Sequence, residues 1–354
     1  MIEPESVALL ETLVSTPGVP GREDRIRAVI RAEVERRGLV DDLRVDALGS
    51  LIGVRHPRPR GTPASDAKTV LAAAHMDTIG FLVAHVSDAG MLRLHPVGAF
   101  DPRTLVAQRV TVCTEQGADL PGLLMLEGPP LHTAPEESLS TLPKLSALYV
   151  DTGLPGPAAR EAIRPGDMVV LAAPFRDLGA AVAGPGLDNR VGCWALIEAM
   201  SRLEHHDATI QAVWSSQEEL GSRGVEPVSF GIAADIGICC DTSVCADVPG
   251  VSEEQHITTQ GRGVALQVAD SSTLADMGLV RQAERLARTR DIPCQRSLML
   301  GGGQDGAMIQ RSREGVRTLV MSGPVRHMHT ANEMAHKTDL DAYRRLLGAV
   351  LGAV

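Results

Sequence analysis

Acidic and histidine side chains at the ends of apolar runs, or in the loops beside them, are the residues of this chain whose types and spacing favour chemistry. They are His75, Asp77, Asp188, Glu218, Glu219, Asp241 and His329. Asp, Glu and His are the side chains that bind hard or borderline divalent cations. Two histidines and three carboxylates can hold two metal ions if one carboxylate bridges them, and such a pair clamps and acidifies a shared water molecule. The residue types therefore favour a hydrolytic metal site.

The adjacent pair Glu218 and Glu219, in the segment WSSQEELGSRG, needs two different roles because neighbouring residues of a strand point to opposite faces. We expect Glu219 to turn inward as a metal ligand, while Glu218 projects from the frayed strand end beside the metal-bound water. There Glu218 would take a proton from the nucleophile and pass it to the leaving amine. His75 and Asp77 are two residues apart and share a face. Asp77 is therefore placed to bond the imidazole nitrogen that does not contact metal.

Each of these features also has an explanation without a metal. A pair of adjacent glutamates is most often a solvated turn, and Asp188 and Asp305 each precede a helix, where they could serve as N-caps. Thiolate zinc ligation by the cysteines of ICCDTSVC is disfavoured, because this segment is an apolar strand and buried free Cys is common. A serine hydrolase is disfavoured because the serines of WSSQ lack a G-x-S-x-G elbow. The joint placement of the acidic and histidine residues favours the metal site.

Strand and helix patterns alternate around these residues. The segment KTVLAAAHMD is a continuous apolar run, as expected of a buried parallel strand. Later strand patterns alternate with helical ones up to a closing helix in DLDAYRRLLGAVLGA. Ligands of open α/β sheets bind at the carboxyl ends of the strands. The pattern predicts an α/β fold with a layered mixed sheet flanked by helices.

Residues ~80 to 178 follow another pattern. Short alternating stretches are separated by Gly and Pro, which predicts a small all-β insert. These stretches include FLVAHVS, MLRLHPV and QRVTVCT. The sequence therefore indicates an α/β domain interrupted by a β insert.

Composition and charge exclude several classes of function. A chain of 354 residues predicts two domains or one domain with a large insertion. The net charge of −10 argues against nucleic acid or an anionic membrane as partner, because both need a basic face. The opening MIEPESVALLETLV has no basic region and does not predict a signal peptide. No run approaches the ~20 apolar residues of a membrane span. The six cysteines show no paired framework, which indicates mostly reduced thiols in a cytoplasmic protein.

Six segments in order resemble the cytosolic dinuclear-metal aminopeptidases that assemble as tetrahedral particles, a family that also contains glutamyl and deblocking aminopeptidases. They are AAHMDTIGFLV, GPGLDNRVGCWALIEA, SSQEELGSRG, CDTSVCADVPG, GGGQDGAMI and GPVRHMHTANEM. The resemblance runs over nearly the whole chain. It includes the insert, where two further segments look like the β-barrel domain of that family. Six ordered segments are far more specific than any one of them.

The resemblance assigns a role to each candidate residue. One metal, Zn²⁺ or Co²⁺, would be held by His75, Asp188 and Asp241, and a second by Asp188, Glu219 and His329. Asp188 is thus the bridge, Glu218 the general base and Asp77 the support of the His75 ring. The substrate would lie near Gln304, Asp305 and His327.

The resemblance also predicts the domain organisation and the assembly. Residues 1–77 and 180–354 would form the catalytic domain, and 78–179 an inserted β-barrel domain for dimerisation and substrate access. The partners that it implies are a short peptide or dipeptide-like substrate and further copies of the chain, with dimers building a twelve-subunit shell.

Three departures from the family pattern bear on specificity. Thr78 stands where many relatives have an acidic residue, Gln304 where Thr is common, and His327 where Tyr is frequent. None removes a metal ligand, so the predicted activity is that of an aminopeptidase on short peptides. Hydrolysis of an N-acylated or amidated dipeptide of the osmolyte type is the alternative, because all three positions lie near the expected substrate. A metal-free scaffold or binding protein on the same fold is the alternative from another class.

Overall fold

The computed structural model describes residues 2–61, 67–130, 132–135 and 142–354. Within these ranges the chain forms a large mixed sheet flanked by helices and a closed barrel inserted after one of the sheet strands. This confirms the predicted α/β fold class with a barrel insert. In the same ranges, none of the helices combines the length and the apolar character needed to cross a membrane.

The strands follow one another along the chain in two groups. They are β1 (Asp42–Val45), β2 (Leu51–Arg55), β3 (Thr69–His75), β4 (Gly80–Val86), β5 (Leu92–Val97), β6 (Gln108–Cys113), β7 (Asp119–Leu126), β8 (Leu148–Asp151), β9 (Met168–Leu171), β10 (Arg176–Asp177), β11 (Ala181–Gly184), β12 (Thr209–Ser215), β13 (Ile236–Val244), β14 (Val264–Ala269), β15 (Cys294–Leu298), β16 (Arg317–Arg326) and β17 (Glu333–His336). The large sheet has the order β1-β2-β12-β3-β13-β16-β17-β11-β10, and β14 joins β16 to β15. The barrel closes in the order β4-β5-β8-β7-β6-β9.

Strands β12, β3 and β13 lie side by side in parallel at the centre of the large sheet. In their register Ser215 pairs with His75, and Cys239 pairs with Ala73. All residues of β3 after Thr69 are buried, as expected of a parallel strand covered on both faces. The residues that follow these strands therefore meet at one edge of the sheet, where ligands of such sheets bind.

The helices cover the large sheet, apart from a short one in the insert. They are α1 (Pro4–Ser15), α2 (Asp24–Arg36), α3 (Gly156–Ala162), α4 (Leu187–Ser201), α5 (Val225–Ile232), α6 (Met277–Thr289), α7 (Gly306–Gln310) and α8 (Lys337–Leu351). Helix α4 is buried from Leu187 to Met200 and packs against α1, α8 and β13. The Trp194 indole N–H donates to the Ser6 carbonyl at 2.8 Å. This packing holds α4 against the sheet.

The insert is a barrel with its own apolar core. Phe81, Val110, Leu124 and Val150 are among the side chains that fill its interior, as in other small barrels. The expectation of an all-β insert was wrong in one respect, because helix α3 also packs against the barrel through the buried Ala159. The barrel strands lie within residues 80–171, and the domain boundaries at 78 and 179 stay a prediction.

Helix α6 offers a test of the fold that is independent of function. Asp276 caps it by accepting the Leu279 N–H at 2.9 Å, and it also accepts two hydrogen bonds from Arg317. The ion pair with Arg317 lowers the pKa of Asp276 to about 2. We expect Asp276→Ala to lower the free energy of unfolding by about 1–2 kcal/mol at pH 7, from the lost cap and a partly exposed ion pair.

The pH dependence of this contribution has a defined sign. Because the pKa of Asp276 is lower in the folded state than in the unfolded state, its carboxylate stabilises the fold fully at pH values above the ordinary pKa of 3.8. This stabilisation is lost as the pH falls through about 2. Urea unfolding should therefore show a difference between wild type and Asp276→Ala that narrows with acid. Asp276→Asn keeps the helix cap, so its free energy of unfolding should fall by less than that of Asp276→Ala. A difference that is constant with pH would contradict the ion-pair assignment.

Candidate metal centre

The first cluster of candidate ligands joins β3, the start of α4 and β13. His75 is the last residue of β3, Asp188 lies in the first turn of α4, and Asp241 lies in β13. The Nε2 atom of His75 is 3.4 Å from Asp188 Oδ1 and 3.6 Å from Asp241 Oδ1. All three residues are buried. One donor atom from each lies within 4.8 Å of the others, as a shared metal ion requires.

The second cluster shares Asp188 with the first. The Nε2 atom of His329 is 3.4 Å from Asp188 Oδ2 and 3.5 Å from Glu219 Oε1. These three residues also offer donor atoms within 4.8 Å of one another. The two oxygens of Asp188 thus face different histidines. This is the arrangement that a carboxylate needs to bridge two cations.

Asp188 owes this position to the chain entering α4. Gly186 at the N-cap has φ +70°, a conformation open to Gly but uncommon for residues with a Cβ. A Cβ on Gly186 would also lie 2.5 Å from the Thr78 methyl group. Asp188 itself has φ −78° and ψ 108°, outside the helical range. The N-cap of α4 is Gly186, and Asp188 Oδ1 has no hydrogen-bond partner among the described residues, so the N-cap explanation of Asp188 is wrong.

The donor set fits divalent cations by three observations. The nitrogen–oxygen separations of 3.4 to 3.6 Å exceed hydrogen-bond lengths. They match the ~3.3 Å between ligand atoms in a tetrahedral zinc site with ~2.0 Å bonds. Asp188 Oδ1 and Glu219 Oε1 are buried with no hydrogen-bond partner among the described residues. Such orphaned carboxylate oxygens are rare unless an ion satisfies them.

The histidine tautomers also suit metal binding. The Nδ1 atom of His75 is 3.1 Å from the Asp77 carbonyl, and that of His329 is 2.9 Å from the Ala99 carbonyl. A carbonyl can only accept, so each Nδ1 carries the proton and each Nε2 is left to bind a cation. Ala99 follows barrel strand β5, and its contact with His329 places the barrel beside the site.

Burial and crowded negative charge set the pKa values in the site. Burial works against protonation of the histidines, yet the surrounding carboxylates raise the pKa of His75 well above its usual value and that of His329 to about 11. Burial raises the pKa of Glu218 well above its usual range, and neighbouring carboxylates add to the rise. The site therefore stabilises positive charge. A metal ion bound there would compete with protons on the imidazoles.

Glu218 and Glu219 lie in a 3₁₀ turn, Glu218–Leu220, after strand β12 has ended at Ser215. The expectation that Glu218 projects from a frayed strand end was therefore wrong. The two side chains still diverge, because successive residues of a 3₁₀ turn are about 120° apart. Glu218 Oε2 lies 3.9 Å from His75 Nε2, while Glu219 faces His329. Glu218 is thus beside the donor clusters and belongs to neither.

Asp77 contacts both the turn with Glu218 and Glu219 and the ring of His75. Its carboxylate accepts the backbone N–H groups of Glu218 and Glu219, each at 3.1 Å. Its Oδ1 also lies 3.5 Å from His75 Nδ1, too far for a strong hydrogen bond, so its carbonyl is the better partner of that ring. Asp77 follows β3 and is fully buried. The expected support of the His75 ring thus comes from the Asp77 main chain.

Glu333 is a residue that the sequence alone did not single out. It is 1% exposed, and its two oxygens accept the backbone N–H groups of Asp188 at 2.9 Å and His329 at 2.8 Å. It therefore ties together the two chain segments that flank the second cluster. His329 has φ +61°, uncommon for a residue with a Cβ. The only available signal was its spacing four residues after His329.

The three residues expected near the substrate have different surroundings. Gln304 is 5% exposed, and its amide donates to Asp270 at 3.1 Å. Asp305 is 1% exposed and accepts the Ser215 hydroxyl; it receives no capping bond from the described residues of α7. His327 is exposed and lines a cleft of about 330 Å³ between the barrel and the loop carrying His329. Substrate contact by these residues stays a prediction.

A zinc site with cysteine thiolate ligands has no support in the described residues, because neither donor cluster contains a cysteine sulfur. Cys239 and Cys240 are buried in β13, and burial raises the pKa of both thiols. A protonated thiol is a poor metal ligand.

Known proteins resemble this chain over most of its length. The family model of the M42 glutamyl aminopeptidases matches residues 58–346. A lysyl aminopeptidase from Pyrococcus furiosus is 31% identical over 97% of this chain and 96% of its own length. The solved structure of aminopeptidase APDkam598 from Desulfurococcus kamchatkensis superposes with a TM-score of 0.91 at 29% identity, over 99% of this chain and 95% of that one. The solved structure of the TET1 peptidase of Pyrococcus horikoshii superposes with a TM-score of 0.85 at 28% identity, over 99% of this chain and 100% of that one.

The family match covers most of the chain, and a relative above 30% identity aligns with almost all of it. The fold agrees with that of solved aminopeptidases, and the donor clusters agree with a metal-dependent peptidase. The chain therefore belongs to the M42 glutamyl aminopeptidase family of metal-dependent peptidases.

Proposed function

We propose that the chain is a two-metal aminopeptidase that removes residues from the free amino ends of short peptides. The observation that carries this proposal is the placement of Asp188, whose two oxygens face His75 and His329 at 3.4 Å each. His75, Asp188 and Asp241 would hold one cation, and Asp188, Glu219 and His329 the other. When bound, Zn²⁺ or Co²⁺ supplies Lewis acidity toward the scissile carbonyl and acidifies water.

Glu218 performs the proton transfers in this proposal. Its carboxylate takes a proton from the water that attacks the carbonyl carbon. It then delivers that proton to the leaving nitrogen as the C–N bond breaks. Burial raises the pKa of Glu218, which strengthens its carboxylate as a base.

Assembly with further copies is part of the proposal. The Pyrococcus horikoshii TET1 peptidase can assemble into a tetrahedron or a large octahedral shell, and this chain covers all of that protein's length at 28% identity. Leu123 and Leu126 of barrel strand β7 are exposed, and burial of exposed apolar side chains favours association. We expect a homo-oligomer built through the barrel.

The choice between a free and a blocked amino end is open to a direct assay. We expect hydrolysis of aminoacyl-p-nitroanilides, abolished by chelator and restored by Zn²⁺ or Co²⁺. A panel with Lys, Glu and Leu at the first position tests the side-chain preference. The same amino acids in N-acetylated dipeptides provide the matched arm. Hydrolysis of the acylated series alone would replace the aminopeptidase proposal by an N-acyl dipeptide hydrolase. No turnover and no bound metal would support a scaffold.

A further inference from the structure

Glu23 occupies the N-cap of helix α2, where Ser, Thr, Asp and Asn are preferred because a short side chain can cap the helix. Its side chain accepts no capping hydrogen bond from the described residues of α2. Instead, Glu23 is 2% exposed, and its Oε1 accepts the N–H groups of Gly21 at 2.8 Å and Gln217 at 3.0 Å. A buried acid that leaves its own helix uncapped breaks a local rule, and such exceptions concentrate at functional sites.

Gln217, whose N–H donates to Glu23, is the residue immediately before Glu218. Gln217 has φ +56°, a left-handed conformation that is uncommon for a residue with a Cβ. Strained residues of this kind persist only where several contacts hold them. Asp77 accepts the next two N–H groups, those of Glu218 and Glu219. Three successive amides of the turn therefore donate to two buried carboxylates that come from separate segments.

We propose that Glu23 is a positioning residue for the hydrolytic step, which fixes the turn carrying Glu218 by holding the Gln217 amide. The inference rests on the proposed role of Glu218 in proton transfer. Glu23 contacts the turn through a backbone N–H and belongs to neither donor cluster, so it acts on the place of the Glu218 carboxylate. A misplacement of about 1 Å at a catalytic group costs on the order of 10²-fold in rate, so this contact has a measurable effect.

The surroundings of Glu23 support a specific role. Burial, with Asp77 nearby, raises the pKa of Glu23 to about 7. Keeping a carboxyl group in such a place is unfavourable unless its hydrogen bonds compensate. Of the two N–H groups that Glu23 accepts, only that of Gln217 belongs to the segment that carries Glu218.

The decisive variant is Glu23→Asp. Aspartate is a good N-cap, so helix α2 should be at least as stable, but the shorter side chain does not reach Gln217. We expect kcat to fall by about 10–100-fold, with KM, metal content and the thermal midpoint close to wild type. Glu23→Gln keeps an oxygen at the same reach and should recover most of kcat. Glu35→Ala, an exposed change on the same helix, should match wild type.

Combining Glu23→Asp with Glu218→Gln separates this inference from the proposed function. If Glu23 acts through Glu218, the double variant should have the kcat of Glu218→Gln alone. An additional loss in the double variant, or a full kcat in Glu23→Asp beside an inactive Glu218→Gln, would overturn the positioning role only. Near-normal turnover by Glu218→Gln would instead remove the proposed function on which it rests. Loss of metal from Glu23→Asp would also overturn the inference.

Discussion

Replacing Glu218 with Gln should lower kcat by about 10²- to 10⁴-fold while both metal ions remain bound. The carboxamide has nearly the same shape but cannot take a proton from water or return it to the leaving nitrogen. Glu218 is outside both donor clusters, so the change leaves the ligand set intact. The measurement is kcat on an aminoacyl-p-nitroanilide, together with metal content by elemental analysis.

The matched control for this change is Glu226→Gln, an exposed glutamate of α5. It should retain wild-type kcat and metal content. Turnover of Glu218→Gln within a few fold of wild type would show that another group moves the proton. Loss of metal from Glu218→Gln would mean that Glu218 is a ligand, and its distance of 3.9 Å from His75 Nε2 makes that the outcome to exclude first.

Replacing Asp188 with Ala should remove both ions and with them nearly all activity. Asp188 belongs to both donor clusters, whereas His329 belongs to one. Metal content per subunit should therefore fall to near zero in Asp188→Ala and to about half in His329→Ala. The activity loss should exceed the roughly 10–100-fold that removal of an outer hydrogen-bond partner causes. Asp42→Ala, an exposed change, is the matched control.

Thermal stability gives a second readout that does not depend on turnover. A ligand that binds only the folded state stabilises it by RT ln(1 + [L]/Kd), about 2.7 kcal/mol at a hundred times Kd. Zn²⁺ or Co²⁺ should raise the unfolding midpoint of wild type and leave that of Asp188→Ala unchanged. Full metal content in Asp188→Ala would reject the bridging role. Loss of a single ion would assign Asp188 to one cluster only.

The sequence by itself determined the strand that ends at His75, the helix that begins near Asp188 and the presence of a β insert. Their signals are local: continuous apolar runs, helical spacing, and short alternating stretches divided by Gly and Pro. The family resemblance then grouped five candidate ligands as the structure groups them. Parallel strands explain this agreement, because β3, β12 and β13 bring their carboxyl ends to one edge.

Only the tertiary structure decided which groups hold that edge in place. Glu218 lies in a 3₁₀ turn and not at the strand end that the sequence predicted. The tertiary structure also gave Glu23 and Glu333 their partners, in contacts that span 194 and 145 positions of the chain. Each is a carboxylate accepting backbone N–H groups, and every residue except Pro carries such a donor. A contact of this kind leaves no pattern of residue types in the partner segment, so folding alone determines where it forms.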